Sequence, residues 1–109
     1  MDFPVTSPKP PYYAVSFSAL LTGEDMEAYS ALSNILLEKA QGLEGFIGEE
    51  ALRTNERGLT ISYWRDLETI KAWMNDADHI AARLVGKEKW YRTFTVRISK
   101  VEREYSFGG

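Results

Sequence analysis

His79 is the residue of this chain best suited to acid–base chemistry near neutral pH. It is the single histidine in 109 residues, and its ordinary pKa lies close to neutrality. The chain has no cysteine, which excludes a thiolate nucleophile, a disulfide and an iron–sulfur cluster. One histidine also leaves few ligands for a zinc site. The residue types therefore favour a general base, and we predict no metal and no other cofactor.

Arg83 follows His79 by one helical turn, so the two side chains are predicted to point roughly the same way. A guanidinium there can hold a phenolate or a carboxylate. The alternative for Arg83 is an ion pair with a nearby acid, Asp76, Asp78 or Glu88. For His79 the alternative to a pocket base is a hydrogen-bonded residue at the surface or in a dimer contact.

Aromatic and small polar residues supply candidate walls for a substrate site. Trp73 lies in a helical apolar stripe, where it is either a flat wall for an aromatic substrate or a core residue. Ser16 and Ser18 share one strand face and leave space for a cavity if that face lies under the helices; otherwise they are solvated. Trp64 either closes the pocket mouth, packs the helical insert onto the sheet or forms part of the dimer contact. The full set of candidate substrate-binding residues is Trp73, Arg83, Ser16, Ser18, Trp64, Tyr29 and Met74.

The elements that position these residues are predicted from the period of the apolar side chains. Thr22, Asp66 and Asp78 are predicted helix N-caps, and Gly42 and Gly86 are predicted helix ends. We predict strands at 12–21, 46–54, 59–64 and 91–105, a hairpin turn at 55–58, and helices at 24–41, after Asp66, and at 79–85.

The predicted order is β-α-β-β-α-β with a short extra helix before the last strand. This is the α+β, ferredoxin-like split βαβ unit. Residues 1–11, which contain all four prolines, are predicted to form an extended arm that is disordered or lies along a neighbouring subunit. Residues 12–109 are predicted to form one domain. Both faces of its sheet carry apolar side chains, so we predict a homodimer that covers the second face.

Charge and hydropathy narrow the range of partners. The formal net charge of −3 disfavours a nucleic-acid partner. No basic region followed by an apolar run suggests a signal peptide, and no apolar run is long enough to span a bilayer. We therefore expect a cytoplasmic protein that has no membrane partner.

Short motifs then identify a family resemblance over most of residues 12–105. They are, in order, Gly45-Phe46-Ile47-Gly48, Ile61-Ser62-Tyr63-Trp64 followed by Arg65-Asp66, Ala72-Trp73, Asp78-His79, and Lys89-Trp90-Tyr91. With these motifs the chain resembles the antibiotic biosynthesis monooxygenase family of the dimeric α+β barrel superfamily. The resemblance implies a dimer whose two sheets close into a barrel, with one pocket per subunit. Some relatives oxygenate phenolic, anthrone or quinol-like substrates with O₂ alone, others cleave haem, and others have no assigned activity.

The haem-degrading relatives allow a comparison by residue. They use an asparagine in the first strand, a tryptophan in the second helix and an iron-ligating histidine about three turns later. Trp73 matches the tryptophan, whereas Ser16 and Arg83 stand at the other two positions. The resemblance thus argues against haem degradation by that mechanism, although His79 can still ligate iron in another register.

The sequence as a whole favours a cofactor-independent monooxygenase that acts on a small aromatic or quinol-like molecule with O₂. In that interpretation His79 is the base, Trp73 the stacking wall, and Arg83 and Ser16 polar contacts. The alternatives are a non-catalytic small-molecule-binding or stress-associated module of the same fold, and a haem-binding protein.

Overall fold

One antiparallel sheet with helices on one of its faces organises the chain in the computed structural model, which describes residues 2–108. No helix within those residues is long and apolar enough to cross a membrane. The elements are β1 (Tyr12–Leu21), α1 (Met26–Gln41), β2 (Phe46–Arg53), β3 (Arg57–Trp64), α2 (Leu67–Met74), α3 (Ala77–Lys89) and β4 (Tyr91–Val101).

The strand order is β2-β3-β1-β4, and every neighbouring pair is antiparallel. Helix α1 joins β1 to β2 across β3, and the pair α2 and α3 joins β3 to β4 across β1. This is the split βαβ arrangement. The predicted α+β, ferredoxin-like fold with an extra helix is therefore confirmed.

Alternate residues of β1 point to opposite faces of the sheet, and their burial shows which face the helices cover. Ala19 and Leu21 form a buried cluster with Tyr29 and Trp90, and Val15 packs against a second cluster that contains Ile70. Odd-numbered residues of β1 therefore lie on the helix-covered face. Even-numbered residues lie on the opposite, open face. On the helix-covered face, the buried side chains form two separate clusters along the sheet.

The first helix begins later than predicted, because Thr22 makes other contacts. Asp25 occupies the N-cap position with a φ of 49° and makes no side-chain cap. The Thr22 hydroxyl accepts from the backbone N–H of Glu24 and donates to the carbonyl oxygen of Lys89. The predicted Thr22 cap is wrong, and its hydroxyl joins the loop before α1 to the end of α3.

The second helix has the predicted cap, whereas the third does not. Asp66 accepts from the backbone N–H of Thr69 at 2.7 Å. Helix α3 is capped by Asp76, which accepts from two backbone N–H groups of its first turn, and not by Asp78. Gly86 lies inside α3 and does not end it. A Cβ at Gly86 would overlap the Tyr91 ring, so this glycine is required for close packing of α3 on β4.

The turn between β2 and β3 spans residues 54–56, so it is one residue shorter than the predicted turn at 55–58 and begins one residue earlier. The Thr54 hydroxyl accepts from the backbone N–H groups of Glu56 and Arg57. Gly58 consequently lies in β3, paired with Ala19 of β1, rather than at the end of the turn. Strand β4 ends at Val101 instead of continuing to residue 105.

The N-terminal segment contacts the sheet of its own subunit. The backbone N–H of Val5 donates to Glu50 at 2.9 Å, and Ser7 donates to Glu104 at 2.6 Å. The Val5 side chain occupies the space where a Cβ of Gly48 would be. These contacts lie on the β2 and β4 sides of the open face, so the segment borders that face.

Candidate functional site

A cavity of about 530 Å³ lies between the helix-covered face and the helices. Residues of both core clusters line it, so it occupies the gap that divides the core. Its volume is within the range of roughly 300–1,000 Å³ that is usual for small-molecule sites. The cavity is therefore the candidate binding site for a small molecule.

The rings of His79 and Trp73 both belong to residues that line this cavity. They are stacked, with centroids 4.7 Å apart and planes at 14°. His79 Nδ1 is 3.0 Å from the carbonyl oxygen of Trp73. Because a carbonyl oxygen can only accept, Nδ1 carries the hydrogen, and the lone pair of the neutral imidazole is on Nε2. The backbone of α2 therefore fixes the tautomer and leaves Nε2 as the basic atom.

The surroundings of His79 keep its imidazole neutral. Burial lowers the pKa of His79 below its ordinary value of 6.5, and the positive charge of Arg83 lowers it further. The Trp73 carbonyl and Asp76 act in the opposite direction without reversing the shift. At neutral pH the side chain is a proton acceptor rather than a cation, as general base catalysis requires.

We expect the imidazole resonances of His79 to titrate with a midpoint below 6.5 in the folded protein. The chain has one histidine, so the NMR assignment is unambiguous. As pH falls, the unfolded chain takes up this proton first. The free energy of unfolding should therefore decrease from pH 6.5 down to the folded pKa, and the His79 contribution is complete above 6.5. Arg83→Gln should raise the midpoint, whereas Arg92→Gln should not; a midpoint above 6.5 in the native protein contradicts this account.

Arg83 lines the same part of the cavity but does not make the ion pair considered from sequence. Its Nη2 donates to the carbonyl oxygen of Met74 at 2.9 Å. Asp76 and Asp78 bind Lys39 instead, at 3.0 and 2.7 Å. A guanidinium has five N–H donors, so the bond to Met74 leaves others for an anionic ligand oxygen.

The far end of the cavity is formed by aromatic residues of α1 and of the start of β4. The Tyr91 hydroxyl donates to the Tyr29 hydroxyl at 3.2 Å. The Trp90 ring lies 5.2 Å from the Tyr29 ring, and the Arg53 guanidinium lies 4.7 Å from the centre of the Tyr29 ring. Burial strongly raises the pKa of Tyr91, so its hydroxyl keeps its proton.

The structure brings most of the predicted site residues together. The residues that line the one cavity are His79, Trp73, Arg83, Tyr29 and Met74. Ser16 and Ser18 do not join them. Both are even-numbered residues of β1 and lie on the open face, opposite Ile61 and Leu59 of β3. Their assignment depended on that face lying under the helices, and this condition is not met.

Trp64 is a core residue and not part of the cavity lining. It is 1% exposed, and its indole N–H donates to the Ser62 hydroxyl at 2.9 Å. Its ring packs against Phe46 and lies 6.4 Å from the Trp73 ring. Of the roles considered from sequence, packing of a helix onto the sheet is the one observed, because Trp64 of β3 clusters with Ile70 of α2 and lies beneath Trp73.

Glu49 is a cavity residue that the sequence interpretation missed. It lies on the helix-covered face of β2, opposite Ser62 of β3. Burial raises the pKa of its carboxyl group. The adjacent pair Glu49 and Glu50 was the available signal, because consecutive strand residues point to opposite faces and one of them must turn inward.

Comparison with known proteins identifies a close relative. Over 108 residues the chain is 37% identical to the uncharacterized protein YqjZ of Bacillus subtilis strain 168, a match that covers 98% of this chain and 94% of that protein. The chain belongs to the YqjZ family. No protein-family model matches this chain.

Solved structures show that this YqjZ-family chain has the antibiotic biosynthesis monooxygenase fold. A protein described as an antibiotic biosynthesis monooxygenase superposes with a TM-score of 0.72 at 12% identity, covering 84% of this chain and 99% of that one. SnoaB, a cofactor-independent oxygenase from Streptomyces nogalater, gives a TM-score of 0.69 at 10% identity, covering 92% and 100%. The resemblance stated from sequence is thereby confirmed for the fold.

Proposed function

We propose that this protein is a cofactor-independent monooxygenase that oxidises a small aromatic, quinol-like molecule with O₂. The observation that carries the proposal is the His79–Trp73 pair, in which the imidazole is neutral, its tautomer is fixed and Nε2 is its basic atom. The pair lies in a cavity of suitable size and aromatic lining. The fold shared with SnoaB supports the same reaction class.

Proton removal is the step that His79 would supply. A phenol or an activated CH₂ group that loses a proton becomes an electron-rich anion, which can transfer an electron to O₂ directly. If a phenol is converted to a quinone, the substrate loses two hydrogens and gains one oxygen atom, and the other oxygen atom leaves as water. The substrate provides all the electrons that reduce O₂. The reaction therefore balances without an external reductant.

The neighbouring residues have distinct roles in this proposal. Trp73 holds the imidazole by stacking and contributes a flat wall, although His79 already covers part of its surface. Arg83 would stabilise the anion formed beside Nε2. Glu49, whose pKa is raised by burial, is a second group that can exchange protons on the sheet side of the cavity.

Oxygen consumption with candidate substrates tests the proposal directly. Anthrone, 1-naphthol and 1,4-naphthohydroquinone are mixed with the protein in an oxygen electrode, with and without a chelator. We expect one O₂ to be consumed per substrate molecule, unaffected by chelation, and one labelled oxygen in the product when ¹⁸O₂ is used. Tight binding without O₂ consumption would instead support the non-catalytic binding module, and loss on chelation would contradict a cofactor-independent reaction.

We also propose that the open face of the sheet pairs with the same face of a second copy. Leu20, Leu52 and Leu59 lie on this face and are 45%, 66% and 42% exposed. Leu52 is directly opposite Leu59 in the β2–β3 pairing, and both line a shallow groove. A contiguous apolar surface of this kind favours burial against a partner, and a two-fold dimer presents the same patch twice.

Replacing Leu59 with glutamate should prevent this dimer from forming, because it puts two unpaired carboxylates into an apolar contact. Sedimentation velocity at micromolar concentration should give a dimer for the native protein and a monomer for Leu59→Glu. Leu67→Glu is the matched control, since Leu67 is also an exposed leucine (51%) but lies on α2. A native monomer, or a dimer that survives Leu59→Glu, would contradict the interface.

A further inference from the structure

Helices α1 and α3, which both line the cavity, run antiparallel and are tied at each end by a lysine. Lys89, the last residue of α3, binds Asp25, the N-cap of α1. Lys39, in the last turn of α1, binds Asp76 at 3.0 Å and Asp78 at 2.7 Å, at the start of α3. The same kind of ion pair is therefore present at both ends of the two helices.

The two ends of α3 differ in what else holds them. At the Lys89 end, Gly86 is buried, and Thr22 binds the carbonyl oxygens of Lys89 and Trp90. All of α3 lies within the described chain, and none of its residues 77–85 is buried. Segments with few buried side chains open locally most easily. The start of α3, which contains His79, therefore depends on polar contacts to stay in place.

Asp76 connects Lys39 to the turn that contains His79. The Asp76 carboxylate accepts from the backbone N–H of His79 at 3.2 Å and from that of Asp78 at 2.9 Å. The Lys39 ammonium donates to the same carboxylate oxygen at 3.1 Å. This bond is the largest cause that lowers the pKa of Asp76, so the capping carboxylate stays ionised at neutral pH. The charge and the orientation of the cap are thus set from α1, a different helix.

We propose that Lys39 is a positioning residue for His79, because it holds Asp76 and through Asp76 the first turn of α3. In this arrangement the imidazole stays stacked against Trp73. The inference rests on the proposed function, since His79 is the base assigned there. Lys39 and Asp78 are both exposed, and exposed ion pairs are weak. The population of the closed turn should therefore change by no more than about fivefold when Lys39 is removed.

NMR titration of Lys39→Met measures the consequence at the imidazole. The substitution removes the ammonium and keeps most of the aliphatic chain. A looser turn exposes the ring, and Asp76 loses its counter-charge; both effects favour the imidazolium and act against the burial that lowers the pKa of His79. Arg83, the other charge that acts on the ring, is unchanged. We expect a higher midpoint for the His79 resonances than in the native protein, and Lys39→Gln should give the same result.

Hydrogen exchange of backbone amides at constant pH measures the same turn without a titration. The N–H of His79 is bonded to the Asp76 carboxylate, and that of Ile80 to the Asp76 carbonyl oxygen. We expect both amides to exchange up to about fivefold faster in Lys39→Met. Lys39→Arg should restore the native exchange rate and the native midpoint, since a guanidinium can also bind carboxylates.

Lys89→Met is the matched control for Lys39→Met. It breaks the ion pair at the other end of the same two helices, where Gly86 and Thr22 still hold α3. It should change neither the midpoint nor the two exchange rates. If His79 is the base, Lys39→Met should also lower kcat by roughly three- to fivefold with little change in KM, because positioning of the base acts on the reacting step.

The outcomes separate the role of Lys39 from the oxygenase proposal. A midpoint and exchange rates that are unchanged in Lys39→Met overturn the positioning role, whatever the activity. A higher midpoint without faster exchange overturns it too, because the effect is then one of charge alone. Equal changes in Lys39→Met and Lys89→Met also overturn it. The expected changes, in a protein that consumes no O₂ with any tested substrate, support the role of Lys39 and overturn the oxygenase function.

Discussion

Replacing His79 with alanine is expected to lower kcat/KM for oxygenation by about 10²–10⁴-fold, the usual contribution of a general base. His79 lines the cavity beside Trp73, and Nε2 is its basic atom because Nδ1 is bound to the Trp73 carbonyl oxygen. Arg83 is a cation and Glu49 comes from the opposite wall, so neither can replace it there. Folding should be largely preserved, because His79 is only half-buried and lies at the start of α3.

Initial rates of O₂ consumption across a pH series measure this effect. In the native protein kcat/KM should decline only below pH 6.5, because burial lowers the pKa of His79, and the variant should lack this decline. Added imidazole should restore part of the activity of His79→Ala by occupying the space against Trp73. Arg92→Gln, an exposed substitution, serves as control. A His79→Ala protein within about threefold of native activity would remove His79 from the reaction.

Replacing Trp64 with alanine is expected to lower the free energy of unfolding by about 3–5 kcal/mol. Trp64 is 1% exposed, packs against Phe46, and fills the space between the sheet and Trp73. Its removal leaves a cavity under α2 and leaves the Ser62 hydroxyl without its donor. This loss is larger than is usual for a single substitution, because the residue is the most buried large side chain described.

Urea denaturation followed by circular dichroism measures this loss. Trp64→Phe should lose less than Trp64→Ala, since a ring remains in the space, and Phe107→Ala should change little because Phe107 is 95% exposed. In Trp64→Phe the His79 NMR signals should shift, because the support under the stacked Trp73 ring changes. A loss below about 1 kcal/mol for Trp64→Ala would mean that Trp64 does not hold the site.

Local signals in the sequence were sufficient to predict much of the fold. The bounds of β1 and the Asp66 cap follow from side-chain alternation and from the capping preference of aspartate, and both are observed. Which residues of β1 face the helices could not be predicted in the same way. Both faces of that strand carry apolar residues, so only the packing of α1 and α2 decides that Val15 lies under the helices and Ser16 does not.

The candidate site was predictable on its helical side and not on its sheet side. His79, Trp73 and Arg83 come from one stretch of chain, where helical spacing alone brings them together. Glu49 depends on an irregularity between Phe46 and Gly48 in the pairing of β2 with β3. That extra residue reverses the alternation, so Phe46 and Glu49 share a face. The adjacent pair Glu49 and Glu50 indicated that one carboxylate points inward, but no pattern of residue types marked which one.

The corner between α2 and α3 has a consequence for how this scaffold can be altered. The proposed base and its tryptophan both come from residues 67–89, and Asp76 at the corner is bound to Lys39 of α1. The sheet contributes walls to the cavity but no member of the stacked pair. We therefore expect residues 67–89 to be exchangeable between YqjZ-family members. A chimera should have the acid–base properties of the protein that supplied this segment. Its ligand selectivity should be that of the protein that supplied the sheet.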